Sequence, residues 1–152
     1  MTAATRPGCA RPIWRGWRNG ATPTPAAGLQ VAAFARGLDH PRWIYVMPDK
    51  SVLIAEATQI PSPVRNMFGY AMQATMRRAA ALGVSANRIT RLVDADGDGT
   101  AERRNAFMEN LSQPFGMALV GDTFYVGNTD GIVAFPYAAG AERITAQGKR
   151  LT

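Results

Sequence analysis

The sequence predicts an all-β chain built from a repeated unit of four short strands, with one inserted α-helix. The first observation is self-similarity: L-D-H-P, beginning at Leu38, and L-S-Q-P, beginning at Leu111, each precede two apolar runs separated by a turn that contains Asp. The prolines of the two copies, Pro41 and Pro114, lie 73 positions apart (114 − 41). The second observation is that short apolar runs alternate with Gly-, Pro- and Asp-containing turns, as the strands of β-proteins do.

The first copy contains four predicted strands, and a further strand candidate at residues 29–35 precedes it. The four strands lie at residues 43–47, 52–55, Arg88–Val93 and Arg103–Met108. Pro48, Asp49 and Lys50 form the first turn, because proline presets φ and aspartate accepts a hydrogen bond from the backbone ahead of it. An Asp- and Gly-rich turn joins the last two strands into a hairpin.

The second copy repeats this order in a shorter segment. Its predicted strands lie at residues 115–119, 124–126, 132–135 and 142–145. Four antiparallel strands in about 40 residues are the size of one β-propeller blade. The sequence therefore predicts a disordered basic tail at 1–28 and a partial β-propeller at 29–152. Blade one is expected at 38–110 and blade two at 111–152.

The first copy is longer because it contains an insertion. Glu56 and Asn87 are 31 positions apart, whereas Asn128 and Gly131, at the matching step of the second copy, are 3 positions apart. The insertion is therefore 28 residues long (31 − 3), within residues 57–86.

The insertion predicts one α-helix. Ser62 suits the N-cap, Pro63 the first helical position and Gly83 the stop. Apolar residues recur at spacings of three and four: Met67, Phe68, Ala71, Met72, Thr75, Met76 and Ala79. Since Met-rich apolar faces are usually core, the favoured interpretation is a helix packed over one end of the propeller. The helix is also basic, which leaves a membrane-surface role open.

Charge and composition bound the possible functions. The net charge is +6 over 152 residues, but residues 1–29 contain four arginines and no acid, so only +2 lies elsewhere. A basic tail of this kind is more often a solvated segment than a nucleic-acid site, so we predict no nucleic-acid partner. No apolar run approaches the roughly 20 residues of a transmembrane segment, and no signal peptide is recognisable. Cys9 is the only cysteine and can form no internal disulfide.

One turn matches the start of a calcium-binding loop. Asp94, Asp96 and Asp98 alternate and are followed by Gly99, so three carboxylates could converge on one hard cation. The twelfth position of such a loop is Asn105 rather than the bidentate glutamate, and strands flank it instead of helices. Two interpretations stay open, a polar hairpin turn and a weak calcium site.

Three further residues are candidates for a functional site. His40 is the only histidine and hence the one candidate general base near neutral pH, while the second copy has Gln113 at this place, as suits a loop hydrogen bond. Glu56 and Asn128 occupy matching strand ends. They could contact a ligand in the central channel or simply solvate the strand ends.

Four segments together resemble a known family. They are G-L-D-H-P-R-W-I-Y-V-M-P-D from Gly37, V-L-I-A-E from Val52, S-A-N-R-I-T-R-L-V-D-A-D-G-D-G from Ser85 and P-F-G-M-A-L-V from Pro114. This combination resembles the sorbosone dehydrogenase branch of the soluble quinoprotein sugar dehydrogenases, over residues 29–152. The resemblance implies a six-bladed propeller, pyrroloquinoline quinone (PQQ) with calcium as cofactors, a sugar or sugar aldehyde as substrate, and a periplasmic location.

The resemblance also limits what this chain is expected to do. The family's catalytic histidine and most of its cofactor contacts lie beyond Thr152, and His40 does not match that histidine. Glu56 alone carries over, as part of the channel face, and Asp94, Asp96 and Asp98 are not expected to hold the cofactor calcium. We therefore expect an N-terminal portion of such a dehydrogenase, inactive by itself, that requires further blades or self-association. The alternatives are a non-enzymatic binding scaffold and a decayed gene product.

Overall fold

The computed structural model describes residues 23–59, 63–78 and 82–152, and its architecture is mostly β. Within these residues, eight strands and one helix follow each other as β1 (Pro41–Val46), β2 (Val52–Glu56), α1 (Met67–Arg78), β3 (Arg88–Val93), β4 (Arg103–Met108), β5 (Gly116–Val120), β6 (Thr123–Asn128), β7 (Gly131–Pro136) and β8 (Lys149–Arg150). The strands form two antiparallel four-stranded sheets. The all-β prediction with one inserted helix is thereby confirmed.

The first sheet has the order β1-β2-β3-β4, so each strand pairs with its neighbour in sequence. The turn from β1 to β2 is fixed by Asp49, whose Oδ1 accepts hydrogen bonds from the backbone N–H of Ser51 at 3.0 Å and from its hydroxyl at 2.6 Å. The bounds of β3 and β4 agree with the sequence prediction, because both strands belong to one hairpin with a clear turn between them.

The second sheet repeats this topology in the order β5-β6-β7-β8. Gly121 makes the tight turn from β5 to β6 with a φ of 60°, a left-handed conformation that favours glycine. A two-residue turn joins β6 to β7. The equivalent connection in the first sheet, from β2 to β3, contains α1 and its flanking segments. The first strands of the two sheets, β1 and β5, lie next to each other.

The core lies between the two sheets. Its buried residues are Met47, Leu53, Ala55, Ile89, Phe107 and Met108 from the first copy and Met117, Phe124, Val126 and Ile144 from the second. Phe107 and Phe124 meet edge to face with ring centroids 5.4 Å apart, and Tyr45 contacts Phe124 in the same way at 6.3 Å. Each such side chain stabilises the fold by about 1.5–3 kcal/mol through burial.

Two predicted strands are absent. Residues 29–35 are irregular: the Phe34 carbonyl accepts a hydrogen bond from Ala101 N–H at 2.8 Å, so this segment crosses the β3–β4 turn instead of joining a strand ladder. Residues 142–145 are also irregular, because the Glu142 carbonyl is held by the Asn105 side chain and Ile144 N–H donates to the Phe107 carbonyl. The fourth strand of the second sheet is β8 instead.

The helix begins later than predicted and does not pack into the core. Asn66 caps it by accepting a hydrogen bond from Gly69 N–H at 2.8 Å; Pro63 precedes the helix, and Ser62 lies outside the described residues. No residue of α1 is buried, and Met67 and Phe68 are 86% and 73% exposed. The expectation that α1 packs over one end of the sheets was therefore wrong for the described residues, since none of their elements buries the apolar face of α1.

Of the predicted tail, residues 1–22 lie outside the described residues, together with Cys9. Residues 23–28 carry no helix or strand and are exposed. From there the chain reaches a segment, residues 34–39, that crosses one face of the first sheet. We call this segment the N-terminal strap.

Candidate functional site

Glu56 is the centre of the most connected polar cluster among the described residues. Its side chain is fully buried at the end of β2. Arg88 donates from Nε to Oε1 at 3.2 Å and from Nη2 to Oε2 at 3.0 Å. The hydroxyl of Thr90 and the backbone N–H of Asp39 also donate to the carboxylate. Arg104 Nη2 lies 3.7 Å from Oε1. We call these five residues the Glu56 cluster.

The strand register explains why these side chains meet. Glu56 pairs with Arg88, and alternation along β3 places Thr90 on the same face as Arg88. This face points away from the second sheet and lies beneath the N-terminal strap. Arg104 ties the strap down, because its Nη1 donates to the carbonyl of Gly37 at 3.0 Å. The cluster therefore joins β2, β3, β4 and the strap.

The charges of the cluster stabilise one another. Burial by itself raises the pKa of Glu56, but the hydrogen bonds from Arg88, Thr90 and the Asp39 backbone outweigh it, so the pKa lies below its ordinary value. The pKa of Arg88 is raised, chiefly by its hydrogen bonds to Glu56. Both groups are thus ionised at neutral pH. Such a carboxylate is a fixed structural anion rather than a group that exchanges protons near pH 7.

Asn128 stands at the matching end of β6, but on a different surface. It shares its strand face with Phe124 and Val126, which point towards the first sheet, whereas Glu56 points away from the second sheet. The structure therefore does not bring Glu56 and Asn128 together. The Oδ1 of Asn128 is shielded from solvent and accepts no hydrogen bond from the described residues. The cofactor-binding roles of Glu56 and Asn128 stay predictions.

A polar network links the two sheets at the end where Asn128 lies. Gln113 Nε2 donates to the Thr58 carbonyl at 2.8 Å, and Gln113 N–H donates to Asn87 Oδ1 at 3.2 Å. Ser85 in turn donates to Asn87 Oδ1 at 2.7 Å and accepts a hydrogen bond from Thr58 N–H at 2.9 Å. Gln113 thus makes loop hydrogen bonds, as expected from its place in the repeat.

His40 shares its left-handed backbone φ with Gln113. Both have a φ of 50° and both precede the proline that marks their copy. The His40 carbonyl accepts a hydrogen bond from Ala57 N–H at 3.3 Å. Among the described residues no side chain hydrogen-bonds its imidazole ring. The described part of the chain therefore supplies no side chain that would orient His40 as a general base, and its catalytic role stays a prediction.

The acidic turn lies at the opposite end of the first sheet. Oxygens of Asp94, Asp96, Asp98 and Glu102 lie within 4.8 Å of one another. The carboxylates also hold the turn itself, since Asp94 accepts hydrogen bonds from Gly97 N–H at 2.6 Å and from Gly99 N–H at 2.9 Å. This geometry could hold a metal ion and equally suits a hydrogen-bonded hairpin turn, so both interpretations stay open.

Several of these residues were not predicted. The pairing of Glu56 with Arg88 could have been found by aligning β2 against β3, since both strands were predicted. Glu102 was not predicted because it occupies the ninth position of the loop, which often contacts the ion only through water, whereas the bidentate glutamate is expected at the twelfth, Asn105. The Asp39 donor is a backbone N–H and carries no side-chain signal in the sequence.

No described helix is both long enough and apolar enough to cross a bilayer. Comparison with protein-family models, with curated proteins and with solved structures found no match to this chain.

Proposed function

We propose that residues 29–152 form two blades of a β-propeller related to the quinoprotein sugar dehydrogenases, as the N-terminal portion of such an enzyme. One observation carries the proposal. The same antiparallel four-stranded meander occurs twice, and the first strands of the two sheets, β1 and β5, lie side by side. Propeller blades have this order, with the chain passing from the outermost strand of one sheet to the innermost strand of the next.

In this proposal the two blades are scaffold rather than reaction centre. Both oxygens of Glu56 already accept hydrogen bonds from this chain, and the acidic turn lies at the other end of the sheet. These residues therefore do not fit together as one site for PQQ and calcium, and we derive no chemical step through the quinone. The Glu56 cluster instead fixes the N-terminal strap to the first blade.

Dye-linked sugar oxidation tests the enzymatic side of the proposal. The purified chain would be incubated with PQQ, calcium chloride, an electron-accepting dye, and glucose or sorbosone. We expect dye reduction no faster than in a control without protein, because the described residues supply no partnered general base. Robust turnover by the chain alone would contradict this expectation.

Reading the transcript downstream of the Thr152 codon tests the kinship itself. Further repeats of about 40 residues, including one that bears a histidine, would support the dehydrogenase. A stop codon directly after Thr152 would favour a decayed product or an interaction module.

A binding scaffold is the second candidate, and a cleft between the sheets favours it. The cleft has a volume of about 470 Å³ and is lined by residues that include Pro48, Leu119 and Tyr137, with Asp49 and Asp122 at its polar side. This volume is within the range of small-molecule pockets. In this second candidate function the protein does not use the quinone. Saturable binding of a small ligand, lost in Tyr137→Ala, would support it.

A further inference from the structure

The cleft between the two sheets receives the same turn residue from both copies. Asp49 lies in the turn from β1 to β2, and Asp122 lies in the turn from β5 to β6. They are 73 positions apart (122 − 49), which is the offset of the repeat. Both line the cleft, whose volume is about 470 Å³. The two copies therefore bring two carboxylates to one end of the contact between their sheets.

The first of these carboxylates is already occupied by its own sheet. Asp49 Oδ1 accepts hydrogen bonds from the N–H and the hydroxyl of Ser51. Asp49 Oδ2 accepts a hydrogen bond from Arg91 Nη2 at 2.9 Å, and the Arg91 side chain is only 9% exposed. The charge of Asp49 is thereby neutralised within the first sheet, and its oxygens are engaged.

The second carboxylate has no such cation. Arg91 pairs with Leu53 in the first sheet. Val126 is the equivalent of Leu53 (53 + 73), and it pairs with Val133 instead. Asp122 is exposed, accepts a hydrogen bond from the hydroxyl of the next residue at 3.3 Å, and forms no ion pair with any described residue. The cleft therefore contains one negative charge that the described part of the chain does not neutralise.

Tyr137 is held in place beside this charge. Its N–H donates to the Asp122 carbonyl at 2.7 Å, and its Oη accepts a hydrogen bond from Gly140 N–H at 3.2 Å. Its ring lies near the buried ring of Phe107, with centroids 6.3 Å apart. Backbone, hydroxyl and ring of Tyr137 are all fixed by contacts within this chain. The aromatic wall of the cleft is therefore formed before a ligand arrives, which lowers the entropic cost of binding.

The remaining lining selects the kind of ligand. Apart from Tyr137 and the two aspartates, it consists of Pro48, Leu119 and a few glycine and alanine residues. Such a lining suits a ligand with an apolar body. A positive charge on this ligand is attracted by the carboxylate and also by the face of the tyrosine ring. A neutral or anionic group gains neither attraction.

We propose that this cleft binds a small organic monocation, in which an ammonium group is attached to an aromatic body. The ammonium group pairs with Asp122, and the aromatic body lies against Tyr137 and Leu119. The inference rests on the binding scaffold, the second function proposed above. It is compatible with a longer protein, because further blades of a propeller pack on the outer faces of the sheets, whereas the cleft lies between the sheets.

An NMR titration of the backbone amides with phenethylammonium chloride tests the proposal, and phenethyl alcohol is the uncharged probe of nearly the same shape. At low ionic strength we expect saturable shifts of the Tyr137 and Gly140 amides, with the cation binding at least about fivefold more tightly than the alcohol. Asp122→Asn should remove this preference. Asp130→Asn is the matched control, because it removes the same charge from an exposed residue in the turn from β6 to β7, at the opposite end of the second sheet.

The outcomes separate this inference from the function on which it rests. Equal binding of both probes in the cleft would refute the cation and keep the binding scaffold. A preference for the cation that persists in Asp122→Asn would refute the assigned site. If neither probe shifts the Tyr137 and Gly140 amides, both the inference and the small-molecule cleft are overturned. Since Asp122 is exposed, its replacement should leave the fold intact, which the amide spectrum of the variant shows directly.

Discussion

Replacing Arg88 with methionine removes the cation that neutralises Glu56 and keeps much of the side chain's length. Glu56 is fully buried, and Arg88 supplies two of its hydrogen bonds. Breaking a buried ion pair by removing one partner costs about 3–5 kcal/mol. Thr90 and the Asp39 N–H still donate to the carboxylate, and the Arg88 side chain is 33% exposed. We therefore expect a loss of about 2–3 kcal/mol in the free energy of unfolding at pH 7.

The loss should depend on pH in a defined direction. In the unmodified protein the pKa of Glu56 is lowered, so the contribution of the ion pair is full above the pKa of the unfolded state. That contribution disappears as the pH falls through the folded pKa. Without the hydrogen bonds and charge of Arg88, the pKa of Glu56 is higher than in the unmodified protein, so protonation relieves the variant at a higher pH. The difference in stability between the two proteins should therefore shrink as the pH falls from about 7 to about 3, below the ordinary pKa of a glutamate.

Urea unfolding followed by far-UV circular dichroism measures both quantities. Arg103→Met is the control, because the Arg103 side chain is 62% exposed and stands 3.9 Å from Glu142; its loss should be below about 0.5 kcal/mol. The double variant Glu56→Gln/Arg88→Met should be more stable than Arg88→Met, since no charge remains buried without its partner. A loss for Arg88→Met below about 0.5 kcal/mol, or one equal at both pH values, would refute the reasoning.

Two further predictions concern the core and the acidic turn. Phe124→Ala should lower the free energy of unfolding by about 3–5 kcal/mol, because Phe124 is fully buried between the sheets and contacts both Tyr45 and Phe107; a loss under about 1 kcal/mol in urea would contradict this packing. Asp94→Ala should cost about 1 kcal/mol, because two backbone N–H groups lose their acceptor, and the loss should be equal in EDTA and in calcium chloride. A larger loss in calcium chloride would instead assign the turn to a bound metal ion.

The sequence predicted the strands wherever a strand was followed by a clear turn. The bounds of β3 and β4 are an example, because alternation and the acidic turn together define one hairpin. Residues 29–35 and 142–145 have strand-like composition. Their backbone groups, however, form only isolated hydrogen bonds with a side chain or with a single backbone group, and they do not pair along the edge of a strand. Whether a segment has a neighbouring strand to pair with depends on the assembled fold. Local composition alone could therefore not exclude these two strands.

The candidate site was predicted less completely than the fold. Glu56 was identified as a strand-end residue, but its hydrogen-bond donors lie 17, 32 and 34 positions away along the chain, and one of them is a backbone N–H. The burial of Glu56 depends on the strap, whose course no sequence pattern indicated. The helix illustrates the same limit: its periodicity correctly predicted α1, yet periodicity cannot say whether a partner covers the apolar face.

The network around Thr58 and Ser85 brings the two ends of the insertion close together. Thr58 N–H bonds the Ser85 hydroxyl, and Gln59 and Leu82 form a bridge just beyond. The second copy makes the same connection with a two-residue turn. This connection is therefore a natural entry point for foreign sequence: a reporter domain with adjacent termini could replace α1 there while the strands on either side keep their register.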